Sequence, residues 1–198
     1  MATDPPASGE AAPLRRAMRL DARRNRERVL LAAREVFAEK QHDASMDDVA
    51  RRAGVGIGTL FRNFPKRIDL VRALYEEDLQ QLGPLAAELA ITHKPWEGLV
   101  EWLQAFVAFS QANRAIICEL SQPSERDPEF DRRAREQIDD AVGNVLDRAL
   151  AARAVDPDLT PGDLVQLIGG IVLSIAADET RNDYLLNLML RGIRTPRE

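Results

Sequence analysis

Thr59, Arg62 and Asn63 stand close together, and each carries a group that can hydrogen-bond to the edge of a base. A guanidinium such as that of Arg62 matches O6 and N7 of guanine, and an amide such as that of Asn63 matches adenine. Either side chain can equally hold a phosphate, which sets register and affinity without reading sequence. Just ahead of them, Gly56 and Ile57 carry no hydrogen-bonding side chain. Gly56 permits close backbone approach, and Ile57 ends in methyl groups suited to the methyl of thymine.

Catalytic chemistry finds little support. His42 and His93 are the two histidines of the chain, and neither adjoins a nucleophile or a metal-ligand pattern. The pairs Glu97/Glu101 and Asp139/Asp140 read as solvated faces of helices. Cys118, the single cysteine, has no basic neighbour in sequence to lower its pKa, so a buried thiol is expected rather than a reactive one. The glycines at 54, 56 and 58 follow a helical pattern rather than a strand, which rules out a dinucleotide fingerprint. No enzyme activity, metal or cofactor is expected.

The base-reading residues must be positioned by residues 45–67. Ser45 can cap a helix, and Asp48, three residues on, can reach back to complete a capping box. Met46, Val49, Ala50 and Ala53 then recur at helical spacing. Gly54 stops that helix, because glycine takes a left-handed backbone at little cost. A second helix is expected over about 56–63, with Leu60 and Phe64 inward. Pro65 closes it and suits the first turn of a further helix. Two short helices across a glycine turn form a helix-turn-helix, whose second helix enters a DNA major groove.

Charge agrees. Residues 14–72 hold 15 Lys+Arg against 8 Asp+Glu, whereas residues 81–198 hold 12 against 19. The net charge of -5 conceals a basic first third able to meet phosphates. Seven arginines between 15 and 28 read either as an arm on the DNA backbone or minor groove, or as a solvated helix face.

The run Val49-Ala50-Arg51-Arg52-Ala53-Gly54-Val55, with Gly58-Thr59-Leu60-Phe61 and Phe64-Pro65, resembles the DNA-binding domain of the TetR family of bacterial transcriptional regulators. The likeness extends to about residue 81. It implies backbone contacts from Ser45, Thr59 and Phe61, and from Arg67 with Lys66 beside it. Phe61 departs from the more usual tyrosine and has no hydroxyl to give a phosphate. The resemblance also implies a two-fold dimer on a roughly palindromic DNA operator. Beyond residue 81 it is one of layout. The last two long helices, about 163–177 and 181–193, would build the interface of a homodimer, with Gly169, Gly170, Leu173, Leu185, Leu188 and Met189; packing within one subunit is the alternative. A cavity for a small apolar or amphipathic effector is implied too. Trp102, Phe106, Phe109, Cys118 and Phe130 are candidate lining residues, and ordinary core is the other reading for each.

The whole chain reads as all-α. A tail is expected over 1–13, a helix-turn-helix domain over 14–65, a linking helix over 66–82 and a helical effector-binding and dimerisation domain over 83–198. The first helix is expected from about 23 to 40, with Val29, Leu30, Ala33, Val36 and Phe37 inward. Later helices are expected at about 85–90, 96–120, 129–154, 161–177 and 181–193. The longest apolar run, residues 167–177, has 11 residues, too few to span a bilayer, and a cytoplasmic protein is expected. The function expected is a sequence-specific DNA-binding regulator, a repressor released by ligand. The alternative is an architectural DNA-binding dimer with no effector.

Overall fold

A computed structural model describes residues 11–40, 43–172 and 179–195; the side chains of residues 11–20, 179 and 180 are outside that description. Residues 1–10, His42, Leu173 and the end of the helix expected over 161–177 therefore lie outside the described residues. Among the described residues there are ten helices and no strand beyond an isolated bridge between Val155 and Arg194. The all-α reading holds. No helix among the described residues is long and apolar enough to cross a membrane.

The chain divides into two compact units, Met1–Leu74 and Tyr75–Glu198. The first contains α1 (Ala11–Lys40), α2 (Met46–Ala53) and α3 (Ile57–Asn63), and α4 (Arg67–Leu79) begins in it. The boundary falls inside α4. Helix α1 begins well before residue 23, so the expected tail is shorter. Pro13 falls in its first turn, where a missing N–H leaves no hydrogen bond unmade. Helix α1 packs on α2, and α2 on α3. Their core is Val29, Ala33 and Val36 from α1, Val49 and Ala50 from α2, and Leu60 with Phe64, all nearly inaccessible to water.

The second unit holds α5 (Leu82–Thr92), α6 (Pro95–Ala112), α7 (Arg114–Leu120), α8 (Pro128–Ala151), α9 (Pro161–Val172) and α10 (Glu179–Ile193). Helices α5, α6 and α8 pack against one another, α9 lies on α6 and α8, and α10 lies on α9. Two expectations need correction. The helix expected at about 85–90 spans Leu82–Thr92: Pro84 lies inside it, in the first turn of α5, where proline is tolerated. The helix expected over 96–120 is interrupted at Asn113. This residue is 3 % exposed, and its amide Nδ2 donates to the carbonyl of Phe109 at 3.1 Å. The backbone N–H of Asn113 donates to the same carbonyl at 3.0 Å, so side chain and backbone share one acceptor at the helix end. Helix α6 stops at Ala112, and α7 runs from Arg114 to Leu120.

The starts of later helices follow from their caps. Asp127 accepts from the N–H groups of Glu129 and Phe130 at the head of α8. Thr160 and Asp163 form a reciprocal capping box at the head of α9 (Thr160 Oγ1 to Asp163 N, 3.2 Å; Asp163 Oδ2 to Thr160 N, 2.9 Å). Leu146 of α8 is fully buried where α5, α6 and α8 meet. Leu146→Ala is expected to cost about 2–5 kcal/mol of stability, read as a lowered unfolding midpoint in a urea titration of the purified chain.

Candidate nucleic-acid interface

The interface is built outward from α2. Ser45 has an extended backbone and caps the helix. Its hydroxyl donates to Asp48 Oδ2 at 2.7 Å and accepts from the Asp48 N–H at 3.1 Å, while Asp48 Oδ2 accepts from the Ser45 N–H at 3.3 Å. Asp48 also pairs with Lys40 of α1 at 2.9 Å. The Lys40 ammonium, followed by the Ser45 bonds, pulls the Asp48 carboxyl down to about 2. At the other end of α2, Arg52 grips Glu39 with both guanidinium arms (3.0 and 2.7 Å) and reaches Glu35 at 3.1 Å. The Arg52 bonds lower the Glu39 carboxyl. These bridges between α1 and α2 join residues far apart in the chain, and nothing in the sequence pattern announces them.

Gly54 ends α2 at φ 64, and the N–H of Val55 donates to the Ala50 carbonyl at 3.0 Å. Helix α3 follows, capped by Gly56 with no side-chain bond and closed where the Phe64 N–H meets the Leu60 carbonyl. Leu60 alone among its residues is fully buried. Gly56, Ile57, Phe61, Arg62 and Asn63 are exposed, and Thr59 is half-buried. The expected base-reading residues thus share the exposed surface of one short helix. Their polar members bend back along it: Arg62 Nη2 donates to Thr59 Oγ1 at 3.0 Å, and Asn63 Nδ2 to the Thr59 carbonyl at 2.8 Å.

Lys66 and Arg67 part company. Lys66 is exposed, and its backbone N–H donates to Asp69 Oδ2 at 2.9 Å. Arg67 is half-buried; its guanidinium donates to the carbonyl of Ala44 and lies 4.5 Å over the ring of Phe37. It ties α1, the loop before α2 and α4 together, a role unforeseen when only its charge is considered. Similarly, Arg26 of the basic stretch stacks 4.9 Å over Phe64.

In the second unit the expected pocket aromatics form a row. Trp102 stacks on Phe106 at 5.2 Å, Phe106 on Phe109 at 6.0 Å, Phe109 meets Tyr75 at 5.6 Å, and Tyr75 meets Phe130 at 6.1 Å. Trp102 is wholly buried, and its indole N–H donates to the Leu82 carbonyl at 3.1 Å. Trp102 and Phe106 are core. A cavity of about 280 Å³ opens at the other end of the row, walled by Tyr75, Leu120, Phe130 and Ile138 with Arg126, Asp131 and Arg135. Of the five aromatic and thiol candidates, Phe130 lines it. Burial, with the Asp131 carboxylate nearby, pushes the Tyr75 hydroxyl up to about 12, so it stays a hydrogen-bond donor. Cys118 is exposed, contrary to the expectation of a buried thiol. Leu120, two residues on, is buried, while Cys118 lies outside.

On α9 and α10 the buried faces are Leu164, Ile168 and Val172, and Leu186, Leu190 and Ile193. Leu188 and Tyr184 are each 49 % exposed and Leu167 44 %. Leu185, Met189 and Gly169 are half-buried, and Gly170 is exposed. A side chain added at Gly169 or Gly170 would meet nothing within 4 Å.

Comparison with known proteins agrees with the helix-turn-helix. Residues 29–74 match the family of bacterial regulatory proteins called tetR, and residues 94–195 match the C-terminal domain of SbtR-like transcriptional regulators. The chain is 26 % identical over 196 residues to the HTH-type transcriptional regulator UidR of Escherichia coli strain K12, covering 90 % of this chain and 97 % of that one. A crystal structure of a TetR transcriptional regulator from Streptomyces coelicolor superposes with a TM-score of 0.68 at 32 % identity, covering 87 % of this chain and 99 % of that one. A TetR regulatory protein from Mycobacterium vanbaalenii gives 0.68 at 27 % identity, over 90 % and 99 %.

The lowered Asp48 carboxyl fixes the sign of one pH effect. Its unfolded value is 3.8 and its folded value about 2, so its contribution is complete above about pH 4 and is lost as pH falls toward 2. Asp48→Asn is expected to flatten the loss of helicity in that window, measured by circular dichroism in an acid titration. An unchanged titration would mean the capping box and its lysine contribute nothing to acid stability.

Proposed function

The chain belongs to the TetR family of bacterial transcriptional regulators, and on that premise we propose that it is a homodimeric repressor that leaves its operator when a small molecule binds the second unit. The family is one of DNA-binding regulators, not of enzymes. The observation that carries the reading is α3 itself. It presents Ile57, Thr59, Phe61, Arg62 and Asn63 from a short helix braced by α1 and α2. Lys66, Thr59 and the Ser45 region supply backbone contacts, and the side chains of α3 supply base contacts. Arg67, committed to Ala44 and Phe37, contributes mainly by holding that surface in shape.

One such helix covers few base pairs, so specificity on a genome calls for two. The exposed Leu167, Tyr184 and Leu188 on α9 and α10 are suited to be covered by a second copy, and the bare Gly170 allows close approach. The effector would enter the cavity beside Tyr75 and Phe130, whose mixed walls favour a small amphipathic molecule. Tyr75 lies on α4, the helix whose start belongs to the first unit, which offers a physical route for coupling. That route operates only if the ligand binds the two states with different affinity. The architectural reading, DNA binding without an effector, draws support from the filled Trp102–Phe106 core.

The test is fluorescence anisotropy with DNA taken from upstream of the reading frame, at several salt concentrations, against a scrambled fragment. A strong preference for the upstream DNA, with affinity falling steeply as salt rises, is expected. Equal binding to both fragments would favour the architectural reading. Leu188→Glu, at a site exposed in the single chain, is expected to give folded monomers by analytical ultracentrifugation and to weaken operator binding at least about tenfold. A dimer that survives this change would move the interface elsewhere.

A further inference from the structure

Helix α3 offers a duplex an apolar ridge on bare backbone, and we propose that the protein reads its operator chiefly through thymine methyl groups, contacted by Ile57 and Phe61. The inference rests on the DNA-binding reading above and deepens it. Ile57 is 40 % exposed and Phe61 45 % exposed, and the informative feature is that the two form one apolar patch. Four residues apart on one helix, they lie on the same face, one turn above the other.

The glycines on either side of Ile57 point the same way. Gly54 is the one glycine among the described residues with positive φ. Neither Gly56 nor Gly58 needs glycine for its backbone, and a Cβ on either would meet nothing within 4 Å. Glycine inside a helix is less stable than alanine. Packing within the fold therefore gives no reason for Gly58, whereas an external surface pressed against the backbone does. With both neighbours bare, α3 can sink until Ile57 touches base edges.

The hydrogen-bonding side chains of α3 are turned along the helix rather than outward. Arg62 is bonded to Thr59 Oγ1 and Asn63 to the Thr59 carbonyl. Beside these self-engaged polar groups, the exposed side chains of Ile57 and Phe61 are carbon throughout. The apolar feature of the major groove is the C5-methyl of thymine. A duplex is favoured over a protein as the occupant because residues 14–72 carry 15 basic against 8 acidic residues, which suits phosphates.

The experiment uses the full chain. A binding site is enriched from a randomised duplex pool and then remade with deoxyuridine replacing one thymine at a time, which removes a methyl and preserves pairing. One or two positions per half-site are expected to lose about fourfold in affinity each, the worth of one buried methyl-sized group. Ile57→Ala is expected to abolish the sensitivity at one position and Phe61→Ala at another, as a double-mutant cycle requires. Gly58→Ala is expected to leave the thermal midpoint unchanged or raised while weakening operator binding roughly tenfold. An enriched site indifferent to every uracil, or equally sensitive in the Ile57 and Phe61 variants, overturns the proposal alone. So does full affinity in the Gly58→Ala chain. A pool from which no sequence is enriched overturns the sequence-specific regulator itself.

Discussion

The left-handed backbone at Gly54 is the constraint on which the exposed surface of α3 depends. Only there does a glycine among the described residues take positive φ, at 64°. The turn lets α2 stop and α3 start within a few residues, and it fixes the angle at which α3 leaves. A residue with a Cβ would strain the same conformation whatever space surrounds it. Everything upstream holds α2 still so that this turn has a fixed base. The Ser45–Asp48 box caps its start, Lys40 secures that box to α1, and Arg52 clamps its end to Glu39 and Glu35. The Arg52 pairs are exposed, so each adds little to stability, whereas Asp48 is partly shielded. Their effect is to choose one register of α2 on α1, while buried Val49, Leu60 and Phe64 supply the cohesion.

Much of the first unit was legible because its signals are local. A capping box, a glycine stop and apolar positions at three and four can all be read along the chain, and α2 and α3 lie within a residue or so of expectation. What escaped reading was whatever depends on residues distant in sequence. Arg67 looks like a phosphate ligand until the ring of Phe37 and the Ala44 carbonyl are brought beneath it. Arg52 looks like another solvated base until Glu35 and Glu39 arrive from α1.

In the second unit the helices were legible and their breaks were not. An asparagine inside an apolar run carries no strong stop signal, yet α6 ends and α7 begins at Asn113. Beyond the break Leu120 is buried and forms part of the cavity wall, while Cys118 is exposed. Helix α5 starts ahead of its expected position, because a proline such as Pro84 is harmless in a first turn. Of the residues expected to line a pocket, the four aromatics lie in one row with Tyr75, and Phe130 alone of them lines the cavity. Their division into core at Trp102 and Phe106 and cavity wall at Phe130 depends on Tyr75, which arrives from α4.

The account stands on α3 entering the major groove twice, once from each protomer. Dimethyl sulfate distinguishes the grooves, because it methylates guanine N7 in the major groove and adenine N3 in the minor groove. The decisive measurement is its footprint on an operator fragment bound by the full chain. Two symmetric clusters of protected guanine N7, about one helical turn apart, are the predicted result. Protection confined to adenine N3, or a single unsymmetric cluster, would contradict the account.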